Sequence, residues 1–556
     1  MKRQHFLQAA LALVVLCIAV LAYTPPISRD ALIHHLQVPK LYLQHGGMYE
    51  LPDLFFSYYP MNLQLLYLWA LWLGSDILPK YIHFSFAVAT ALLLHWHLRR
   101  RLSSSYAWLG ALFFLSIPVI VKLSITVYVD LGLIFFSTAA LLLLFRWLET
   151  KRLRDLLLAG ICCGLGIGTK YNGLLVLFIL TFMLPVLFIR SQEQKQGAAR
   201  PAVKAAALFC FAALLAVSPW LIRNAVWTGN PLYPLYNGFF SRINSAAAEQ
   251  HHQEADTNAD NEEAQQDNSV QGVFATRYVL YGENIWQLLL LPVRIFFEGQ
   301  DGDPRYFDGR LNPFLFLLPL LAFVRRAERQ VRLEQISLAA FSLLYFLFAF
   351  NTGVLRIRYL APMVPCLVIL SMYGLHNLEL LTERYLKQAR LVTIVWLVPV
   401  SLLLAWNGSY IWQQFQEVDP LSYITGRVNR DEYLSKQLPE YPVMLYANKN
   451  LPESAKILCV FMGRRGYYLD RPHFFDTYGK KDGLLAWLDK PGMTVEQIGQ
   501  RLKEKGFSHL LIRRDLLYQK LQQEDSHTQQ LWLELERQHL RPLNSHLNYS
   551  LYQAVF

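Results

Sequence analysis

The sequence has few charged residues. Of its 556 residues, 17% are Asp, Glu, Lys or Arg, whereas soluble domains carry about 25%. Hydrophobic residues make up 54%, and several apolar stretches of about 17 to 20 residues can each cross a hydrocarbon core about 30 Å thick. This composition excludes an ordinary soluble protein and predicts a chain that crosses a membrane many times.

Cysteine is also scarce, with six residues, of which five lie in apolar stretches. There is no CxxC pair, so the sequence predicts neither a disulfide framework nor a cysteine metal site. No Gly-rich loop of the Walker or Rossmann type occurs, so no nucleotide-binding motif is found. The two halves of the chain show no internal repeat, which disfavours a transporter built from repeats.

The net charge of +11 comes mostly from basic residues that lie between the apolar stretches. Cytoplasmic loops of membrane proteins are enriched in Lys and Arg, so these clusters predict which loops are internal. A nucleic-acid partner is therefore not predicted. The clusters are Arg99–Arg101, Arg146–Arg154, Arg190–Lys204, Arg325–Arg332 and Arg384–Arg390.

The apolar stretches predict a polytopic α-helical membrane protein with about eleven spans. Residues 1–23 have a basic start and an apolar run, as a signal peptide does, but no small-x-small cleavage site follows. We therefore expect an uncleaved first helix with an internal N-terminus. Residues 60–76 are predicted to form a juxtamembrane or re-entrant element. The spans are predicted at about 6–23, 79–98, 107–122, 131–148, 155–169, 173–190, 203–221, 313–325, 336–350, 359–376 and 391–410.

This topology predicts one external face that gathers charged residues from distant parts of the chain. The external segments are 24–78, 123–130, the turn near 170, 222–312, 351–358 and everything after 410. The charged residues that they carry are Asp30, Asp130, Lys170, Arg223, Arg356 and Arg358.

The composition divides the chain into a membrane part, 1–410, and a soluble part, 411–556. In the soluble part, 456–461 and 509–513 are predicted strands, and the helix between them has a capping box and a terminal Gly506, which is typical of a small α/β domain. Within the membrane part, the acidic stretch 245–272 is predicted to be a disordered insertion. His251 and His252 in it are interpreted as part of a solvated linker rather than as metal ligands.

The first external segment contains "SRDALIHHLQVPKLYLQHGG" at 28–47. On a helix, Asp30 and His34 share one face and apolar residues form the other, so the stretch is predicted to lie along the membrane surface. A partly desolvated carboxylate there can have a raised pKa and act as a general base. The alternative is that Asp30 only caps the helix, a role for which Ser28 competes.

Two further charged residues are predicted at the same surface. Asp130 begins a span, where it either stabilises the helix dipole or takes part in chemistry. Lys170 interrupts the apolar run in "GLGIGTKYNGLL", whose glycines allow close helix packing. It either neutralises a lipid phosphate or extends its amine to the interface.

External cations complete the pattern. Arg223 lies in "PWLIRNAVWTGNPLYP", and Arg356, Arg358 and Tyr359 lie in "VLRIRYLAPMVP". Positive residues are disfavoured on the external side, so their presence indicates an anionic ligand. Carboxylates beside cations at lipid depth predict a site for a phosphate-bearing lipid and a proton acceptor.

With these motifs in this order, the sequence resembles the GT-C superfamily of integral-membrane glycosyltransferases over about residues 6–376. It is most similar to the bacterial branch that contains aminoarabinose transferases, protein O-mannosyltransferases and rhizobial lipopolysaccharide glycosyltransferases. The resemblance implies transfer of a hexose or pentose, with inversion, from a polyprenyl-phosphate donor. It implies a lipid, glycan or protein acceptor, and a periplasmic site in the bacterial inner membrane with the C-terminal domain on the same side.

The resemblance also implies residue roles. Asp30 corresponds to the catalytic base and Asp130 to the second acidic position, while Lys170, Arg356 and Arg358 hold the donor phosphate. We also assign Arg223 to donor-phosphate binding. We assign auxiliary or acceptor-side roles to His34, His35, Tyr59 and Tyr359.

Many relatives have Asp-Glu in the first loop, whereas Ala31 follows Asp30 here. We therefore assign no metal ligand and leave a divalent metal open, with His34 or His35 as substitutes for the missing carboxylate. The competing functions are a lipid-linked oligosaccharide ligase, a transporter or flippase of lipid-linked sugars, and a membrane scaffold.

Overall fold

The long apolar stretches are helical, because a chain inside a bilayer must satisfy its backbone polar groups internally. The computed structural model describes residues 2–194, 196–245, 272–349, 355–386, 389–476 and 483–556. Up to residue 245 the helices are α1 (Lys2–Ala22), α2 (Gln37–His45), α3 (Asn62–Trp72), α4 (Leu78–Arg101), α5 (Ser104–Ser116), α6 (Pro118–Ser124), α7 (Asp130–Thr150), α8 (Leu153–Ile167), α9 (Gly173–Ser191), α10 (Ala199–Thr228) and α11 (Asn237–Ser245).

The second part of the membrane region begins after the predicted insertion at 245–272, which apart from its end residues lies outside the described residues, as do His251 and His252. Its helices are α12 (Val273–Val279), α13 (Ile285–Leu289), α14 (Leu291–Arg294), α15 (Phe314–Leu321), α16 (Arg329–Ala349), α17 (Ile357–Leu360), α18 (Val364–Leu386) and α19 (Ala389–Val418).

Each of the eleven predicted spans is helical over most of its length, and the predicted fold class is confirmed. Among the described residues, eight helices are long and apolar enough to cross a membrane, and α5 with α6, bent by 64°, makes a ninth. The remaining two predicted spans correspond to α8 and α15, which have only 15 and 8 residues. The predicted juxtamembrane element contains α3, an 11-residue helix that exposes Trp69 and Trp72.

Ion pairs and hydrogen bonds show which helix ends lie together. At one end, Arg101 pairs with Glu149 and Glu334, and Arg3 pairs with Glu379. The starts of α1 and α16 therefore lie beside the ends of α4, α7 and α18. The starts of α7, α9 and α17 meet at the other end, which we call the site end. This agrees with the predicted sidedness of the loops.

Glycines let the short helix α8 pack closely on α10. A Cβ added at Gly164 would lie 2.2 Å from the carbonyl oxygen of Ala213, and one at Gly160 would lie 2.5 Å from that of Phe209. At Gly166 the nearest atom would be 3.4 Å away, which is an ordinary contact. The close packing predicted for this motif is thus confirmed at Gly164 but is not required at Gly166.

We expect Gly164→Ala to lower the free energy of unfolding in detergent by about 1–3 kcal/mol, because the new methyl group overlaps backbone that cannot move away cheaply. Gly166→Ala is the matched control in the same helix. It should leave stability unchanged or raise it by up to about 1 kcal/mol through helix propensity. Equal effects of the two substitutions on the unfolding transition would contradict the packing argument.

The soluble part is a mixed α/β domain, as predicted. Its helices are α20 (Pro420–Ile424), α21 (Arg430–Gln437), α22 (Tyr441–Asn450), α23 (Leu484–Leu488), α24 (Val495–Glu504), α25 (Arg514–Leu521) and α26 (Ser526–His539). Its strands are β1 (Ile457–Val460), β2 (His473–Asp476), β3 (His509–Arg513), β4 (Leu540–His546) and β5 (Tyr549–Ala554), in the sheet order β2-β1-β3-β5-β4.

Both predicted strands and the predicted helix of this domain are confirmed. β1 and β3 are parallel neighbours, and α24 lies between them in the chain, with Thr494 and Gln497 forming its capping box. Both strands are almost fully buried, because helices and loops cover both faces of the sheet. The preceding helix α19 continues to Val418, eight residues beyond the predicted end of the membrane part at 410.

Candidate active site

The loop after α1 is fixed before it reaches Asp30. The buried amine of Lys80 donates hydrogen bonds to the carbonyl oxygens of Thr24 (2.7 Å) and Pro25 (3.3 Å). The following turn, Ala31–His35, is a π-helix closed by a bond from the Leu36 N–H to the Ala31 oxygen (2.9 Å). Asp30 precedes this turn and makes no capping hydrogen bond to any described residue. The capping interpretation of Asp30 is therefore not supported.

Asp30 instead forms an ion pair with Arg358, the second residue of the short helix α17. The Arg358 Nη1 to Asp30 Oδ2 distance is 2.6 Å, and the two side chains are 12% and 24% exposed. Burial alone would raise the pKa of Asp30, but the Arg358 charge and hydrogen bond hold it well below its usual value. The expectation of a raised pKa for Asp30 is therefore wrong.

A second ion pair lies beside the first. The Lys170 amine is 2.7 Å from Asp130 Oδ1, and the Asp130 side chain is only 4% exposed. Asp130 is the first residue of α7, and Lys170 lies in the break between α8 and α9. The buried His83 ring accepts a hydrogen bond from the Leu131 N–H at 3.0 Å, which holds the start of α7 in place.

Two tyrosines join the ion pairs. The Arg358 guanidinium lies 4.9 Å from the ring centre of Tyr128 and 5.2 Å from that of Tyr359. The Lys170 amine lies 4.9 Å from the same Tyr359 ring. Tyr359 therefore lies between the two cations, and cation–π contacts stabilise both of them. The result is a compact cluster of two carboxylates and two cations, which we call the paired-charge cluster.

Two histidines flank this cluster. The His34 ring stacks on Phe56 at 4.5 Å and lies 4.0 Å from the His35 ring. Burial lowers the pKa of His34 to about 4, so the ring is neutral at pH 7 even though Asp30 favours its charged form. His35 accepts a hydrogen bond from the Gln64 amide at 3.0 Å. Within the described part of the chain, His34 Nδ1 is buried without a hydrogen-bond partner.

Comparison with known proteins identifies this architecture. The family model described as dolichyl-phosphate-mannose-protein mannosyltransferase matches residues 60–222, a stretch that includes Asp130 and Lys170. The apo structure of ArnT from Cupriavidus metallidurans superposes with a TM-score of 0.58 at 13% identity, covering 100% of this chain and 99% of that one. This chain has the GT-C fold.

Other solved structures support the same fold. ArnT from Cupriavidus metallidurans bound to undecaprenyl phosphate superposes with a TM-score of 0.59 at 13% identity, over 99% of this chain and 98% of that one. The apo oligosaccharyltransferase of Archaeoglobus fulgidus superposes with a TM-score of 0.52 at 12% identity. The match covers 98% of this chain and 74% of that one. Among curated proteins, no sequence matches significantly.

Not all of the predicted phosphate ligands join the paired-charge cluster. Arg356 Nε lies 3.6 Å from Asp308 Oδ2. Arg223 donates to the carbonyl oxygens of Tyr58 (2.6 Å) and Tyr59 (3.2 Å), and its guanidinium is held between Trp220 and Trp227. Arg223 therefore anchors the first loop, and its contact with donor phosphate stays a prediction.

Tyr59 connects this anchor to the cluster. Its ring lies 5.4 Å from Tyr171, the neighbour of Lys170, and 5.5 Å from Phe56, which stacks on His34. In the described ranges, no group of three or more His, Cys, Asp and Glu side chains is placed to hold a metal ion.

Four residues that hold the site together were not predicted from the sequence. Lys80 and His83 are buried near the start of α4, and Gln64 and Tyr128 lie against the cluster. Lys80 and His83 could have been found, because ionisable residues within a predicted span are functional candidates by default. Gln64 and Tyr128 carry no such signal, since polar and aromatic residues are common at membrane interfaces.

Proposed function

We propose that this chain is a membrane glycosyltransferase that moves a sugar from a polyprenyl-phosphate donor to a hydroxyl group of a lipid, glycan or protein acceptor. The observation that carries the proposal is the paired-charge cluster, in which Asp30–Arg358 and Asp130–Lys170 meet around Tyr359 at one end of the helices. ArnT, which shares the fold, has been solved with undecaprenyl phosphate bound.

The two cations suit the phosphate of such a donor. A phosphate that enters between Arg358 and Lys170 would receive charge-assisted hydrogen bonds from both. As the anomeric C–O bond breaks, its electron pair moves to the phosphate oxygen, and the cations stabilise the developing charge. Polyprenyl phosphate then leaves as the second product.

Asp30 is the proposed base. Without donor, Arg358 keeps the pKa of Asp30 low, and so the carboxylate is a weak base. When Arg358 turns to the donor phosphate, Asp30 loses part of this stabilisation and becomes more basic. It can then accept the proton of the acceptor hydroxyl, whose oxygen attacks the anomeric carbon on the face opposite the phosphate. The configuration at that carbon is inverted.

His34 has a supporting role in this proposal. Its ring is neutral at pH 7 and coupled to Asp30, so its buried Nδ1 can hold the acceptor hydroxyl or receive the proton from the carboxylate. The site end carries the carboxylates, whereas Arg99–Arg101 and other basic clusters occupy the opposite end. By the positive-inside rule, this supports a periplasmic site in the inner membrane of a bacterium.

The proposal is tested by reconstituting the chain in liposomes with polyprenyl-phosphate hexoses and pentoses. Transfer should release polyprenyl phosphate and add one sugar mass to an acceptor from the cell envelope, as measured by mass spectrometry. Use of only diphosphate-linked oligosaccharides would favour the ligase. Movement of the donor between leaflets without release of polyprenyl phosphate would favour a flippase.

The pH profile should depend on Arg358. In the free enzyme Arg358 holds the pKa of Asp30 well below its usual value, so kcat/KM should show no acid limb from Asp30 above about pH 5. In Arg358→Gln the positive charge that lowers the pKa of Asp30 is gone, and the neighbouring histidines are neutral. Burial then raises this pKa. The kcat/KM of this variant should then fall as pH drops towards the raised pKa.

The matched control for this profile is Arg356→Gln, in the same segment but beside Asp308. The kcat/KM profile of Arg356→Gln should have the same acid limb as that of the wild type, even if the variant is slower. If Arg358→Gln also keeps the wild-type profile, Asp30 does not titrate in the catalytic step.

A further inference from the structure

A cleft of about 470 Å³ separates the soluble domain from the first external loop. One wall comes from Lys40 of α2 and from Asp76, which precedes α4, and the other comes from α21, α22 and the loop between β1 and β2. Its lining is rich in tyrosine and in charged residues of both signs. The lining includes Lys40 and Asp76 on one wall and Arg430, Leu445, Tyr467 and Tyr468 on the other.

The cleft is distinct from the paired-charge cluster, since Asp30, Asp130, Lys170 and Arg358 do not line it. The π-helical turn that follows Asp30 packs against the soluble domain. Leu32 of that turn packs in one apolar cluster with Leu434, Leu438 and Tyr441 of the soluble domain.

The soluble domain is also hydrogen-bonded to the π-helical turn Ala31–His35, which follows the proposed base Asp30 and which we call the catalytic turn. The Tyr467 N–H donates to the Leu32 oxygen at 3.3 Å, and the Lys40 amine donates to the Tyr467 oxygen at 2.7 Å. The Tyr468 hydroxyl donates to the Pro26 oxygen at 2.8 Å. One loop of the soluble domain therefore forms both a wall of the cleft and a support for the segment that carries Asp30.

The charges of the cleft are internally balanced. Arg430 pairs with Asp76, and Lys40 lies 2.7 Å from Asp470. Lys449 at the rim lies 3.4 Å from Asp431. A phosphate or carboxylate ligand would have to compete with these carboxylates for the cations. The lining therefore favours a ligand that is neutral but rich in hydroxyl groups, which can hydrogen-bond to both charged partners of each pair.

Aromatic rings supply the other half of the recognition. Tyr467 and Tyr468 meet edge to face at 4.9 Å, and Tyr441 meets Tyr468 in the same way at 5.4 Å. Tyr441 is buried, whereas Tyr467 and Tyr468 are half-buried and line the cleft. The apolar face of a sugar ring can pack against these two rings while its hydroxyl groups reach the polar side chains around them. Convergent polar groups among aromatic side chains are the usual form of a small-molecule site.

We propose that this cleft binds a neutral oligosaccharide, and that this oligosaccharide is the glycan portion of the acceptor. The second half of this proposal rests on the proposed glycosyltransferase function, whereas binding itself does not. The cleft holds the acceptor at a distance from the reacting hydroxyl, and the Tyr467–Leu32 contact links occupancy of the cleft to the position of the catalytic turn. The acceptor class is then a glycan or glycolipid rather than a protein.

Binding is tested on the full chain in detergent by saturation-transfer NMR. The probe is the neutral oligosaccharide fraction of three to six sugars released by mild acid from the envelope of the source cells. Leu445→Trp fills the cleft, and Arg430→Gln removes one polar contact without adding bulk. Arg427→Gln is the control, because this exposed arginine lies three residues from Arg430 and does not line the cleft.

We expect wild type and Arg427→Gln to transfer saturation to sugar protons, and Leu445→Trp and Arg430→Gln to bind at least about tenfold more weakly, which corresponds to about 1.4 kcal/mol. Added inorganic phosphate should not compete. Absence of binding to the wild type, equal binding by all variants, or displacement by phosphate would each overturn the proposal.

The role in acceptor binding is tested separately by steady-state kinetics. Leu445→Trp and Arg430→Gln should raise KM for a glycolipid acceptor while leaving KM for the donor unchanged. If the chain binds the oligosaccharide but transfers no sugar, the proposed function fails and the binding site stands. If transfer occurs with unchanged acceptor KM in both variants, the proposed function stands and the acceptor role of the cleft fails.

Discussion

Asp30→Asn is expected to lower the rate of sugar transfer by about 10²–10⁴-fold, the range that a general base contributes. The amide keeps the size of the carboxylate but cannot accept the proton of the acceptor hydroxyl. Donor binding should be affected much less, because Arg358 and Lys170 keep their charges. The measurement is single-turnover release of polyprenyl phosphate in liposomes, with donor affinity determined separately.

The control for this substitution is Asp53→Asn, the same chemical change at an exposed position of the same loop. It should transfer sugar at the wild-type rate. Asp30→Asn also leaves the partly buried Arg358 without its carboxylate, so the unfolding transition of each variant must be compared with the wild type. A folded Asp30→Asn protein with full activity would show that Asp30 is only the electrostatic partner of Arg358.

Lys170→Met is expected to have two effects of different origin. Asp130 is almost fully buried, and removal of its cation leaves a buried charge unpaired, which costs about 3–5 kcal/mol of folding stability. The same substitution removes one of the two proposed donor-phosphate ligands. A single variant therefore cannot separate a structural role of Lys170 from a functional one.

The double variant Lys170→Met with Asp130→Asn separates these roles. It removes the pair together, so the unfolding transition should recover most of the stability lost in the single variant. Donor KM should nevertheless remain raised by about tenfold or more, since one charge-assisted contact to phosphate contributes about 1.5–3 kcal/mol. If the double variant regains the wild-type donor KM, Lys170 serves only to neutralise Asp130.

The first loop and the break after α8 also depend on each other. Asn62 donates to the Leu165 oxygen at 3.2 Å, and its own N–H donates to the Gly168 oxygen at 2.9 Å. A Cβ at Gly168 would lie 2.4 Å from the Asn62 amide nitrogen, so this position accepts only glycine without a shift. The loop that carries Asp30 is thereby fixed to the break that carries Lys170.

The sequence by itself determined the membrane architecture and the shared side of its loops. Apolar stretches in a bilayer have no alternative to the helix, and the basic clusters set the orientation of each span. Asp30, Asp130, Lys170 and Arg358 could be selected because charged residues near a membrane surface are rare and costly. The strands 457–460 and 509–513 and the helix between them were equally readable from local pattern and capping signals.

Only the tertiary structure decided which charges meet. Arg356 and Arg358 look equivalent in the sequence, but Arg358 pairs with Asp30, 328 residues away, while Arg356 lies beside Asp308. The direction in which the Asp30 pKa shifts follows from that pairing. Burial raises this pKa and a nearby cation lowers it, so the result depends on how close the cation lies. The cleft likewise arises where two regions far apart in the chain meet, so no local pattern could predict it.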